Sequence, residues 1–401
     1  MPKNIVILCD GTSNQIEEDR TNILRLYGCL AKNGQQIVYY DPGVGSFGGD
    51  NAWRRFTSKT AEILGLAFGA GLDDNVKQAY RFLVEHYNPG RGASKNGPGV
   101  APDRIYIFGF SRGAYTARVL AGFIHTFGLM DRTQLNLLDY AYRTYKGISD
   151  FDDARADETS SAFDAIRYYE RTLAPTRPTI RALGLFDTVS SVIEPGKYWF
   201  WPRLKTYAFT NKNPNVEHVR HAVAIDERRT MFNPKLWPKD GEFWGRPVRP
   251  AKAEDIKAQD VKEVWFSGVH GDVGGGYDEE QSAQAKYPLL WMIEEMKELG
   301  LDMKTRTVNT IVLGKNQADR NGRKYVAPGV EQPLNTSMNR VWAILEFLPR
   351  RIPATSWRMG GKTGCYFPLC DRRLIPPGAA IHESVHERMQ TDPDYRPPNL
   401  P

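Results

Sequence analysis

The 401-residue sequence has no uninterrupted apolar run of about 18 residues, so no stretch reads as a membrane-spanning helix. Its N-terminus, MPKNIVILCDGTSN, offers only about five apolar residues before an acid, too few for the core of a cleaved signal peptide. Cysteine is scarce as well. Cys9, Cys29, Cys365 and Cys370 form no CxxC pair and no dense framework, which excludes a disulfide-built scaffold and favours a reduced, cytoplasmic setting. Any meeting with a membrane is then peripheral, and any export uses a system that reads no cleaved signal. A block of Lys and Arg is also missing. The net charge of +6 and pI near 8.9 are spread along the chain, which suits contact with an anionic membrane surface, whereas the concentrated basic stripe of a nucleic-acid binder is absent. No repeat, heptad array or low-complexity tract appears. With 41% hydrophobic and 25% charged residues, the chain has the composition of an ordinary globular protein with ample core.

What is present is an alternation of short apolar runs and helical patterns. NIVILC (4–9), IVYY (37–40), RIYIF (104–108), TIRALGLF (179–186) and EVWF (263–266) read as buried strands, and residues 72–87, 114–127 and 287–299 as helices. Alternating strands and helices imply an α/β fold with a mostly parallel central sheet covered by helices on both faces. Residues 195–250 interrupt the alternation. Their aromatics (Tyr198, Trp199, Phe200, Trp201, Tyr207, Phe209, Phe232, Trp237, Phe243 and Trp244) and breakers read as an insertion with little share in the sheet, either a secondary cluster packed on the core or a cap over the active site. The expected organisation is one catalytic domain over 1–390, with 391–401 (TDPDYRPPNLP) a loose tail.

The stretch IFGFSRGAYTAR, 107–118, sets Ser111 between Gly109 and Gly113, after a strand and before a helix. G-x-S-x-G in that context is the nucleophile elbow of α/β-hydrolases: the glycines relieve crowding at a tight turn, and the Arg112 N–H becomes an oxyanion donor. A serine needs a base, and the base needs a carboxylate, arriving in chain order Ser, acid, His at strand ends. Asp187 in LGLFDTVSS fits the acid and His270 in VWFSGVHGDVGGGY fits the base. Asp272 competes with Asp187 or fixes the glycine loop; His382 and His221, the latter in a helical pattern, stand as alternatives to His270. The loop after the first strand, Asp10-Gly11-Thr12, is placed to supply a second oxyanion amide from Gly11 or Thr12. It lacks the second aspartate of the D-x-D-x-T phosphatase pattern. No cofactor or metal is required by this chemistry.

Six blocks then occur together and in order: DGTSN with TNILRL (10–14, 21–26), YYDPGVGS (39–46), GFSRGAYTAR (109–118), LFDTVSS (185–191), HAVAIDERR (221–229) and VWFSGVHGDVGGGY (264–277). In these the chain resembles the catalytic domain of the type VI secretion phospholipase effectors of the first lipase-effector family, shared by a broader group of bacterial and fungal α/β-hydrolases. The resemblance runs from residue 4 to at least 277 and implies an esterase acting on lipid or phospholipid, with Ser111 as nucleophile. The chain leaves little room for the further membrane-targeting region of effector members. Two rivals come from other classes. HESVH (382–386) satisfies the zinc-hydrolase pattern H-E-x-x-H, with Glu383 as base and a third ligand sought among Glu387, Asp392 and Asp394 or at a distant site. The other is a hydrolase fold used only as a binding module.

Overall fold

The six residues Asn4–Cys9 form strand β1 of the computed structural model, and all six are buried. Their alternation sends Ile5, Ile7 and Cys9 into one apolar layer and Val6 and Leu8 into another. A strand buried on both faces needs helices on both sides, and this requirement shapes the whole architecture. The structure describes residues 2–11, 21–43, 71–92, 99–148, 156–189, 193–194, 203–204, 207–246, 249–315, 322, 324–347, 349–351 and 365–401.

Six further strands join β1: β2 (Gln36–Asp41), β3 (Arg104–Phe110), β4 (Ile180–Phe186), β5 (Val216–Ala224), β6 (Asp260–Phe266) and β7 (Ala380–Ile381). They lie in the order β7-β6-β5-β4-β3-β1-β2, and every neighbouring pair is parallel. The helices include α1 (Asn22–Cys29), α2 (Leu72–His86), α3 (Arg112–Phe127), α4 (His270–Gly274), α5 (Lys286–Glu298) and α6 (Glu383–Thr391), and Leu138–Lys146 and Ala156–Leu173 form two more between α3 and β4. Val76, Ala79, Tyr80 and Leu83 of α2 and Ala117, Leu120 and Phe123 of α3 pack on the face that carries Ile5 and Ile7. Ile23 and Leu26 of α1 and Leu289, Met292 and Met296 of α5 cover the opposite face. Among the described residues, no helix is long and apolar enough to cross a membrane.

Parallel strands end together, and their C-terminal edge is where the loops of an open α/β sheet form a crevice. Cys9 stands beside Gly109, Phe110 beside Phe186, and Phe186 beside Ala222. The chain therefore leaves β1, β3, β4 and β5 at one edge, with Asp10, Ser111 and Asp187 directly after their strands. The strand order reverses between β1 and β3, which opens the crevice beside Ser111.

Two expectations need correction. Residues 195–250 are not wholly a cap, because Val216–Ala224 forms β5 between β4 and β6, and His221 lies on that strand and not on a helix. The sequence VEHVRHAVA hides a buried strand because its polar members are paired inside: Arg220 with Glu295 and Asp260, and His221 with Glu263. Tyr207 and Trp237 from the same stretch pack into the core layer beside α3, while Tyr198, Trp199, Phe200 and Trp201 lie outside the described residues. The tail is not loose either. The Tyr395 hydroxyl donates to Asp226 at 2.8 Å, and the buried Asn399 amide donates to the Ile225 and Arg373 carbonyls.

Candidate active site

Only Ser111 separates the end of β3 from the start of α3, so the chain must reverse within one residue. It does so with φ +58° and ψ −120°, a strained conformation for a side-chain-bearing residue, held by the Ser111 N–H donating to the Phe186 carbonyl at 3.0 Å. A Cβ on Gly109 would lie 2.3 Å from the Gly113 carbonyl oxygen, and one on Gly113 would lie 2.2 Å from that of Cys9. Both contacts are with backbone, which has no rotamer to change, so the turn exists only because these two positions carry no side chain. Helix α3 begins at the next residue, so the Arg112 amide stands at the positive end of the helix dipole.

The structure brings Ser111, His270 and Asp187 together. His270 opens α4 just beyond β6, and its Nε2 lies 2.8 Å from Ser111 Oγ while its Nδ1 lies 2.5 Å from Asp187 Oδ2. With Asp187 ionised, Nδ1 carries the proton and donates it, so Nε2 is left to accept the Ser111 hydroxyl proton. Asp187 follows β4 with φ +40° and is fully buried. The imidazole is gripped by rings, with Phe110 at 4.7 Å and Phe232 edge-on at 5.0 Å.

A fourth residue, absent from the expected set, completes the cluster. Arg373 donates from Nη1 to Asp187 Oδ1 at 2.6 Å and from Nη2 to Oδ2 at 2.9 Å. Burial alone would raise the Asp187 pKa, but the Arg373 guanidinium and then His270 outweigh it and hold the carboxyl well below the usual range. Burial pushes the His270 imidazole below its ordinary value, and the Asp187 carboxylate only partly offsets this. Glu227 was also unforeseen, although it sits within the quoted HAVAIDERR block. Its Oε2 accepts the His270 backbone N–H at 3.2 Å. Against burial, the paired Arg229 holds its pKa at about 2.

The remaining sequence candidates fall elsewhere. Asp272 faces its own turn, accepting the Val269 N–H at 3.0 Å and the Asn335 amide at 2.7 Å, and burial lifts its pKa to about 6. It fixes the glycine loop and does not meet His270's side chain. His221 is fully buried one strand away; its Nε2 accepts the Thr188 N–H, so its Nδ1 donates to Glu263 at 2.8 Å. That pairing supports the loop immediately after Asp187. His382 is the N-cap of α6, outside the helix, with Nδ1 accepting the Ser384 N–H and its ring stacked 4.5 Å from Phe266. The two histidines of HESVH are therefore not successive turns of one helix. The Gly11 N–H donates to Asp10 Oδ1 at 2.7 Å, and Asp10 Oδ2 accepts from Thr21 and Tyr40. Thr12 lies outside the described residues.

The family described as "T6SS, Phospholipase effector Tle1-like, catalytic domain" matches residues 3–295. An uncharacterized protein of Saccharomyces cerevisiae is 36% identical over 239 residues, an alignment covering 57% of this chain and 32% of the yeast protein. Among solved structures, an uncharacterized protein from Pseudomonas aeruginosa aligns with a TM-score of 0.42 and 20% identity, over 76% of this chain and 46% of that one. A Tle1 effector bound to the VgrG spike of the type 6 secretion system aligns with a TM-score of 0.34 and 18% identity, over 69% and 51% of the two chains. The chain thus spans a third to a half of the length of these relatives.

Proposed function

This chain belongs to the family of Tle1-like catalytic domains of type VI secretion phospholipase effectors, and on that premise we propose that it is a serine esterase of lipid carboxylic esters. The observation that carries the mechanism is the contact of His270 Nε2 with Ser111 Oγ at 2.8 Å, with Nδ1 engaged by Asp187. Ser111 Oγ attacks the ester carbonyl as its proton passes to His270 Nε2, and Asp187 stabilises the imidazolium that forms. The Arg112 amide receives the developing oxyanion at the N-terminus of α3. A second donor from the loop after β1 requires the Gly11 N–H to leave Asp10 Oδ1, or another amide of that loop to serve. Collapse of the tetrahedral species breaks the ester C–O bond, and His270 returns the proton to the departing alkoxide. Water then attacks the acyl-serine with His270 again as base, releasing the fatty acid and restoring the Ser111 hydroxyl. Fluorophosphonate labelling tests the assignment: one adduct at Ser111 is expected, and a protein that is folded yet resists labelling overturns it.

The depressed His270 pKa has a kinetic consequence. His270 must be neutral to accept the serine proton, so activity survives acidification until pH falls through the lowered value. The acid limb of kcat/KM is expected to have its midpoint below the ordinary histidine value of about 6.5. A midpoint at or above 7 contradicts this environment for the base. Because the proposed cycle routes no step through an ion, prolonged chelation is expected to leave ester hydrolysis unchanged. His386→Ala, at an exposed position of α6, is expected to be mild. Activity lost on chelation and restored by zinc, together with a large loss in His386→Ala, would move the chemistry to HESVH.

A further inference from the structure

We propose that Arg373 is a positioning residue for the reaction: its guanidinium clamps both oxygens of Asp187 and, through that carboxylate, aims the His270 imidazole at Ser111. The inference rests on the serine-esterase reading of the site. It begins with the number of donors that Asp187 receives. Oδ1 accepts from Arg373 Nη1 at 2.6 Å and from the Ala224 N–H at 3.0 Å. Oδ2 accepts from Arg373 Nη2 at 2.9 Å and from His270 Nδ1 at 2.5 Å. Four donors fill the roughly four lone-pair sites of a carboxylate, so its plane has no freedom to turn. Without the arginine, His270 and one amide would leave half of those sites empty in a fully buried position.

The same guanidinium is itself held. Nη1 also donates to the Ala224 carbonyl at 2.8 Å and Nη2 to that of Phe232 at 2.5 Å, so one planar group links the end of β4, the end of β5 and the segment carrying Phe232. Phe232 packs edge-on against the His270 ring, and the Arg373 carbonyl accepts from the buried Asn399. The clamp therefore comes from the C-terminal segment, outside the 3–295 stretch that matches the family. A buried ion pair is a weak device for stability alone, since apolar groups of similar volume often do as well. A planar fork that meets both carboxylate oxygens is a strong device for orientation.

Charge gives the clamp a readable signature. The charged groups around His270 are Asp187 beneath it, Glu227 and Arg229 from the loop after β5, and Asp272 on its own turn. Arg373 shares the Asp187 charge, so removing the cation leaves more negative charge for the imidazolium and moves the His270 titration upward.

Two variants test this. Arg373→Lys keeps the cation but has one ammonium where two parallel donors are needed. It is expected to fold and to lose about tenfold to a hundredfold in kcat with KM unchanged, the scale of a misaligned catalytic group. Arg373→Gln is expected to move the acid limb of kcat/KM, and the His270 resonance in an NMR titration, to higher pH. A lysine variant that fails to fold, or folds with wild-type kcat, overturns the positioning role. So does a folded glutamine variant whose limb and His270 titration are unmoved; should only the lysine variant fold, its kcat decides. If the wild type neither hydrolyses esters nor labels at Ser111, the esterase reading has failed, and the His270 titration still reports on the clamp.

Discussion

Ser111→Ala is expected to lower ester turnover about a millionfold while leaving the fold in place, the scale seen when the nucleophile of a Ser-His-Asp unit is removed. The reason for expecting an intact fold is local. Alanine keeps the Cβ, so the +58° turn is no more strained than before, and the Ser111 N–H still donates to Phe186. What disappears is the hydroxyl and its contact with His270, a loss of about 1 kcal/mol in stability. Ser111→Gly separates strain from chemistry. It is expected to be as inactive as the alanine variant but to melt higher, because glycine enters positive φ without the penalty of roughly 1–3 kcal/mol borne by the serine. Turnover of p-nitrophenyl esters, read beside a thermal melt, checks both. A folded Ser111→Ala protein with substantial activity would remove the serine mechanism altogether.

His270→Ala is expected to lose nearly as much turnover as Ser111→Ala, and the double variant little more than either alone. The hydroxyl at 2.8 Å from Nε2 is a poor nucleophile until that nitrogen takes its proton, so each residue is idle without the other. The residual rate, about a thousandfold to ten-thousandfold over water, comes from substrate binding and the oxyanion donors. His221→Ala and His382→Ala separate the alternatives, since neither imidazole reaches Ser111: the first supports Thr188 behind Asp187, and the second caps α6. Losses that add across Ser111 and His270, or a collapse of activity in His382→Ala with His270→Ala active, would reassign the base.

The C-terminal segment bears on how the family fold is used. Residues 3–295 carry the sheet from β1 to β6, the elbow, Asp187 and His270, yet the donor that saturates Asp187 arrives from residue 373. The segment also caps the sheet with β7 and packs Val385 and Ile375 against Trp265 and Val223. A truncation after residue 295 is therefore expected to disturb the site even though every residue of the proposed triad remains.

The amino-acid sequence by itself determined the alternation of strands and helices, the elbow and the order in which Ser111, Asp187 and His270 are delivered. These are local or near-local properties. Buried parallel strands are short unbroken apolar runs, and the crowding that demands glycine at 109 and 113 acts across neighbouring residues. Once each residue follows its strand in a parallel sheet, the C-terminal edge gathers them without further instruction. The sequence was silent where polarity is cancelled by a distant partner. VEHVRHAVA did not read as the central strand β5 because Glu295, Asp260 and Glu263, which neutralise its Arg220 and His221, are remote in the chain. Arg373 carried no signal for the same reason. It lies 186 residues from the carboxylate it clamps, and an arginine in a proline-bounded loop has no periodicity or spacing that distinguishes a buried fork from a solvated charge. Only the tertiary structure decided those pairings, because a buried ion becomes tolerable only when its partner is already in place.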